Sequence, residues 1–262
     1  MSPDFTLEKY RELCQALTNS HYVLLTVADY LESPNLPQKF AILRHDIDTR
    51  PWKAMRIAEI EKIFGIRSTY YFRFNQEVFQ PYFIKELANL GHEIGYHYET
   101  LDNAKGDYKK AIELFEYELN EFRKIIDIKT ICMHGNPLTK WDNRHLWNKY
   151  DFTQYNLVGE AYLSIDFKDL QYFSDSGRNW GNGGKVKDTV ISGSVNQQSV
   201  GRRVNSTDKL IKLLVKEELA HIYLLSHPGV WSDNFYSWTG ELIKNMTINL
   251  VKRLIKLKYS NR

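Results

Sequence analysis

KFAILRHDID, residues 39–48, is the stretch on which the fold turns. Its first half is an apolar run of strand length, as expected of a strand covered on both faces, and its second half turns abruptly polar. Pro51 then opens PWKAMRIAEIEKIFG. There Ala54, Ile57, Ala58, Ile60, Ile63 and Phe64 share one helical face, and Gly65 supplies the stop. A buried strand with a charged end, followed by a helix, is one β/α unit.

Outward from this stretch the unit repeats. IRSTYYFRF (66–74) is β-branched and aromatic and reads as a second strand, with Tyr70, Tyr71, Phe72 and Phe74 as strand filling. FIKELANLG (83–91) reads as a helix ended by Gly91, HEIGYH (92–97) as a short strand, and 104–126 as a long helix with charges outward. KTICMHG (129–135) and AHIYLLSHP (220–228) complete the strands. A first helix over about 7–18 and a last one over about 240–258 flank the array. Between 136 and 220 the sequence is less regular, with polar loops around DSGRNWGNGGKVKD (175–188), where GNGG (181–184) lacks the Lys-Ser/Thr of a phosphate loop. The basic segment VKRLIKLK near the C-terminus reads as a helix packed on the domain with solvated lysines, not a membrane anchor. The alternation predicts an α/β fold of parallel strands in a single domain over 1–262.

Composition limits the function classes. A chain of 262 residues, 43% hydrophobic and 26% charged, buries roughly three quarters of its unfolded surface, so a metal is not needed to hold it together and any metal is expected to be catalytic. A net charge of +3 without a basic stripe gives no reason to expect a nucleic-acid partner. Two cysteines in unrelated contexts make no disulfide framework, and the first residues lack an apolar run of signal-peptide length, so a cytoplasmic protein without stable membrane insertion is expected. The sequence specifies no oligomeric state.

Parallel β/α proteins gather their chemistry at the carboxyl ends of the strands. Those ends here carry His45, Asp46 and Asp48; His97, with Glu99 and Asp102 just after; His134; and His227. Carboxylates and imidazoles in one mouth suit a divalent ion, Zn²⁺ first, with Mn²⁺, Fe²⁺ or Co²⁺ also compatible.

At these residues the sequence resembles the polysaccharide deacetylase (NodB homology) superfamily of metal-dependent carbohydrate esterases. The resemblance runs from about 38 to 230 and rests on RHDID (44–48), IRSTYYF, YLLSHP (223–228) and, most specifically, GHEIGYH (91–97). It implies a distorted, incompletely closed (β/α) barrel of about seven parallel strands. It implies Asp46 as catalytic base, Asp48 and His97 as metal ligands and His227 as general acid. Ile47 separates two aspartates that are adjacent in the family, so the roles of Asp46 and Asp48 could be exchanged. Leu101 stands where the family has its second metal histidine, so a third ligand must come from His134, Glu99, Asp102 or His45, in that order of preference.

MHGNPLTKWDN, YFSDSGRNW and SHPGVW further resemble a subgroup called WbmS-like, associated with bacterial surface polysaccharides. That likeness implies a pocket lined by Asp142, Asn143, Asp175, Arg178, Trp180 and Trp231, with Asp175 also able to orient a catalytic group; Glu99 is likewise expected to contact substrate. The implied activity is removal of an N-acetyl or N-formyl group from an amino sugar, nucleotide sugar or other intracellular glycan precursor. The alternatives are a carbohydrate-binding protein that has lost its chemistry and an amidohydrolase acting on a non-sugar amide.

Overall fold

A computed structural model describes residues 2–136, 139–181, 204–233 and 236–240. In chain order the elements are α1 (Leu7–Asn19), β1 (Val23–Leu25), α2 (Val27–Glu32), β2 (Phe40–Ile47), α3 (Pro51–Ile63), β3 (Thr69–Arg73), α4 (Pro81–Asn89), β4 (Glu93–Tyr98) and α5 (Thr100–Asn103). Then come α6 (Tyr108–Arg123), β5 (Thr130–Met133), β6 (Gly159–Glu160), β7 (Gln171–Ser174), α7 (Thr207–Val215) and β8 (His221–Ser226). Every strand pairing is parallel, in the order β6-β5-β4-β3-β2-β8-β7, and β1 joins the lower half of β2.

The sheet is curled into an incomplete barrel. In a flat sheet β6 would lie roughly 19 Å from β2, four strand spacings away. Yet the guanidinium of Arg44 on β2 reaches the hydroxyl of Tyr162, just beyond β6, at 3.3 Å. No ladder joins β6 to β7 among the described residues, so the barrel is open there. The interior is polar and aromatic: Arg44 lies 5.3 Å from the Tyr71 ring centre and 3.4 Å from the Tyr223 hydroxyl. Outside, Ala54, Ile57 and Ala58 of α3, Ile84 and Leu87 of α4, and Phe115, Leu119 and Phe122 of α6 are all buried. No helix among the described residues is long and apolar enough to cross a membrane.

The repeating units lie where the sequence periodicity puts them, and the differences have local causes. The helix expected from residue 104 begins at Tyr108 because Lys105 and Gly106 take positive φ and Asp107 caps the amides of Lys109 and Lys110. Gly65 and Gly91 end the preceding units at φ +66° and +92°, conformations that L side chains rarely adopt. The irregular reading of 136–220 is corrected by β6, β7 and α7. β6 and β7 have two and four residues, too short to show a period, and α7 begins at the Ser206 cap. Of the expected last helix over 240–258 only Gly240 is described; its remainder, with VKRLIKLK, and all of GNGG beyond Gly181 lie outside the described residues.

Candidate active site

Strand alternation selects the site. On β2 the side chains of Arg44 and Asp46 enter the barrel, and Asp48, two residues further, continues on that face. His45 and Ile47 point the other way. His45 meets Glu61 of α3 at 2.8 Å, so its imidazole is spent outside the barrel and drops out as a metal ligand. On β4, His97 lies inside while Tyr96 and Tyr98 pack outward against Phe115 of α6. Gly95, also inside, leaves room for Tyr71, since a Cβ there would stand 2.2 Å from Tyr71 Cε1.

Three ligand atoms converge at the carboxyl ends of β2, β4 and β5. Asp48 Oδ1 lies 3.5 Å from His97 Nε2 and 3.5 Å from His134 Nε2. Each imidazole is anchored at its other nitrogen. His97 Nδ1 donates to the Cys132 carbonyl at 3.0 Å, and His134 Nδ1 donates to Glu99 Oε2 at 3.0 Å. Both Nε2 lone pairs are thereby turned toward Asp48. Asp48 Oδ1 is itself buried with no hydrogen-bond partner among the described residues.

These residues fit a divalent ion. Metal–ligand bonds of ~2.1 Å at tetrahedral angles put ligand atoms about 3.4 Å apart; Asp48 Oδ1 stands 3.5 Å from each histidine Nε2, and all three atoms lie within 4.8 Å of one another. A second group, Asp46, His97 and Cys132, also has ligand atoms within 4.8 Å of one another. It is the weaker cradle, because Arg44 already takes both Asp46 oxygens, Nε to Oδ1 at 2.7 Å and Nη2 to Oδ2 at 2.6 Å. Leu101, where a histidine was expected, is a core residue 1% exposed. Asp102 accepts from Thr139 Oγ1 and Asn143 Nδ2, and so ties loops instead of facing the ligand atoms.

Asp46 and His227 flank this centre. Asp46 Oδ2 is 3.6 Å from His97 Nε2, so it faces the same space. Burial would raise its pKa, but the charges of Arg44 and His97 and the Arg44 hydrogen bonds outweigh burial and hold it below the ordinary carboxylate range. Asp48 is also held below that range: burial is outweighed by His134, His97 and His227. Asp175, fully buried, accepts from His227 Nδ1 at 2.7 Å, from Ser226 Oγ at 2.9 Å and from Trp231 Nε1 at 2.9 Å. Burial works against a charged His227, yet its bond to Asp175 and the charges of Asp175, Asp48 and Asp46 lift its pKa to about 10.

The other side chains expected to line a pocket serve as scaffold. Glu99 binds Arg73 and His134. Asp142 caps a turn and pairs with Arg144 at 2.6 Å, and Asn143 Nδ2 donates to the His134 carbonyl at 2.9 Å. Arg178 Nη1 and Nη2 donate to the carbonyls of Val230 and Asp4. Trp180 and Trp231 are each 1% exposed and pack on Phe5, so neither offers a ring face to a sugar. Sequence reasoning missed Arg44, Arg73 and Cys132. Arg44 was findable, since it stands two residues before Asp46 on the same strand face. Arg73 was not, because its meeting with Glu99 depends on the β3–β4 register, which pairs it with His97.

No protein-family model matches the chain, and no curated protein matches it significantly. Solved structures similar to it include peptidoglycan deacetylase PdaC from Bacillus subtilis, in an aspartate-to-serine variant, at 15% identity and TM-score 0.40 over 86% of this chain and 98% of that one. The CE4 domain of a multidomain xylanase from the hindgut metagenome of Trinervitermes trinervoides is 14% identical at TM-score 0.37, covering 81% of this chain and 85% of that one. A CE4 family pseudoenzyme from Bacillus anthracis is 13% identical at TM-score 0.37 over 82% of this chain, which spans 61% of its length. At these values the likeness carries no weight for activity, and the function rests on the site itself.

Proposed function

We propose that the protein is a metal-dependent hydrolase that removes an N-acyl group, acetyl or formyl, from an amino sugar. The observation that carries this reading is the convergence of His97 Nε2 and His134 Nε2 on the partnerless, buried Asp48 Oδ1. A divalent ion held by Asp48, His97 and His134, most suitably Zn²⁺, supplies Lewis acidity at an amide carbonyl and lowers the pKa of water toward ~7. Asp46, kept ionised by Arg44, is the acceptor for the proton of the attacking water. The oxygen–carbon bond forms and the carbon–nitrogen bond breaks, giving a carboxylate and an amine. His227, pointed by Asp175 and protonated at neutral pH, gives its proton to the departing nitrogen. The intended substrate is a cytoplasmic glycan precursor or nucleotide sugar. Cys14 and Cys132 are both buried thiols, which suits such a reducing compartment.

The test is release of acetate or formate from a panel of N-acyl amino sugars, free and nucleotide-linked, with simple N-acyl amines alongside. Turnover of sugars that a chelator abolishes and Zn²⁺ restores is the expected result. Turnover confined to the non-sugar amides would remove the sugar from the reading. Tight sugar binding with neither metal dependence nor turnover would make the protein a carbohydrate-binding one.

A further inference from the structure

His134 is fixed at its main chain but has a choice at its ring. Its amide donates to the Tyr98 carbonyl at 2.8 Å, and its own carbonyl accepts from Asn143. The ring stands between two carboxylates, Glu99 at Nδ1 and Asp48 at Nε2, at 3.0 and 3.5 Å. A neutral imidazole has one proton to place, and only a ring protonated on Nδ1 offers a lone pair at Nε2.

Glu99 makes that choice, and Arg73 fixes Glu99. Arg73 Nη2 donates to both oxygens, at 2.7 and 2.8 Å, and Nε adds a contact to Oε1 at 3.2 Å. The same guanidinium donates from Nη1 to the Asp48 carbonyl at 3.2 Å, so one side chain spans the loops after β2 and β4. We propose that Arg73 and Glu99 form a positioning unit that holds His134 in its Nδ1–H tautomer and thereby sets the affinity of the centre for its ion. This rests on the metal-centre reading above. It goes further by moving Glu99 from the roles of ligand or substrate contact to that of proton acceptor for a ligand.

Glu99→Gln tests the unit with little change in shape. The Arg73 fork holds the amide oxygen, which leaves the amide NH₂ facing His134 Nδ1. The ring must then accept at Nδ1 and carry its proton on Nε2. In the metal-free protein at alkaline pH, ¹⁵N–¹H spectra of the His134 ring are expected to show Nδ1–H in the wild type and Nε2–H in Glu99→Gln. Zn²⁺ affinity is expected to fall 10–100-fold, the usual effect of removing such a partner. Adding Arg73→Met to Glu99→Gln frees the amide to turn its oxygen to the ring, and is expected to restore Nδ1–H. His97, anchored on a main-chain carbonyl, is the internal control and should not change. The wild-type spectrum decides even if a variant fails to fold: Nε2–H there would overturn the proposal, as would a Glu99→Gln variant with unchanged tautomer and Zn²⁺ affinity. A wild type that binds no metal yet shows Nδ1–H would leave the tautomer assignment standing and remove the metal-centre reading instead.

Discussion

Asp46 is gripped at both oxygens by Arg44, yet it still shares its space with His97, and this pairing defines what single substitutions should do. Asp46→Asn removes the proton acceptor but none of the three ligand atoms, so metal content should persist while turnover falls at least ~10²-fold. Equal turnover in that variant would show the base assignment to be mistaken. Gly95 acts on the same pair from below. An alanine there would place its Cβ 2.2 Å from Tyr71 Cε1 and 3.0 Å from the Thr130 carbonyl, and the Tyr71 ring lies under Arg44. Gly95→Ala should therefore lower stability by ~1–3 kcal/mol in denaturant unfolding, with a further loss of turnover through displacement of Arg44. The spacing of Asp46 and Asp48 was legible at this scale, since i and i+2 on a strand share a face. The use of His45 was not, because its partner Glu61 comes from the following helix.

At the scale of elements, buried carboxylates clamp helices to the sheet, and they titrate differently. Glu61 on α3 accepts from Tyr10 of α1, His45 of β2, Ser68 just before β3 and Tyr70 of β3, at 2.6 to 2.8 Å. Glu61→Ala would strip four donors of their acceptor and should lower stability by ~3–5 kcal/mol. Glu118 on α6 has one hydrogen-bond partner among the described residues, the Tyr96 hydroxyl of β4. Burial, with a smaller push from the Glu99 charge, raises its pKa from 4.5 to about 7. Because the folded value exceeds the unfolded one, its contribution is fully present below pH ~4.5 and is lost as pH rises through about 7. The loss amounts to roughly 3 kcal/mol. Glu118→Gln should accordingly match the wild type near pH 4.5 and exceed it at pH 8 in urea unfolding, and an unchanged pH slope would contradict the ionisation scheme. The long units from β2 to β5 were legible because each carries a strand run, a helical face and a glycine stop. β6 and β7 were not, because so few residues show no period and are fixed only by neighbours distant in sequence.

For the whole molecule, the curled sheet brings Asp48, His97 and His134 from the ends of β2, β4 and β5 to one mouth, so an ion bound there would be linked to folding. An ion bound only by the folded chain at a hundred times its Kd should add ~2.7 kcal/mol and raise the Tm. The barrel was legible from the repeating units, and the polar strand ends marked the side chains that meet at its mouth. Several candidates for a third ligand stand near the mouth, and the register of β5 beside β4 sets one of them, His134, next to Glu99 and Asp48. The most direct measurement is the metal content of the purified protein by mass spectrometry, with His97→Ala and His134→Ala alongside. One equivalent of divalent metal, lost in both variants, is the expected result. Absence of metal after incubation with Zn²⁺, Mn²⁺ or Co²⁺, or full occupancy in His134→Ala, would contradict a centre built from Asp48, His97 and His134.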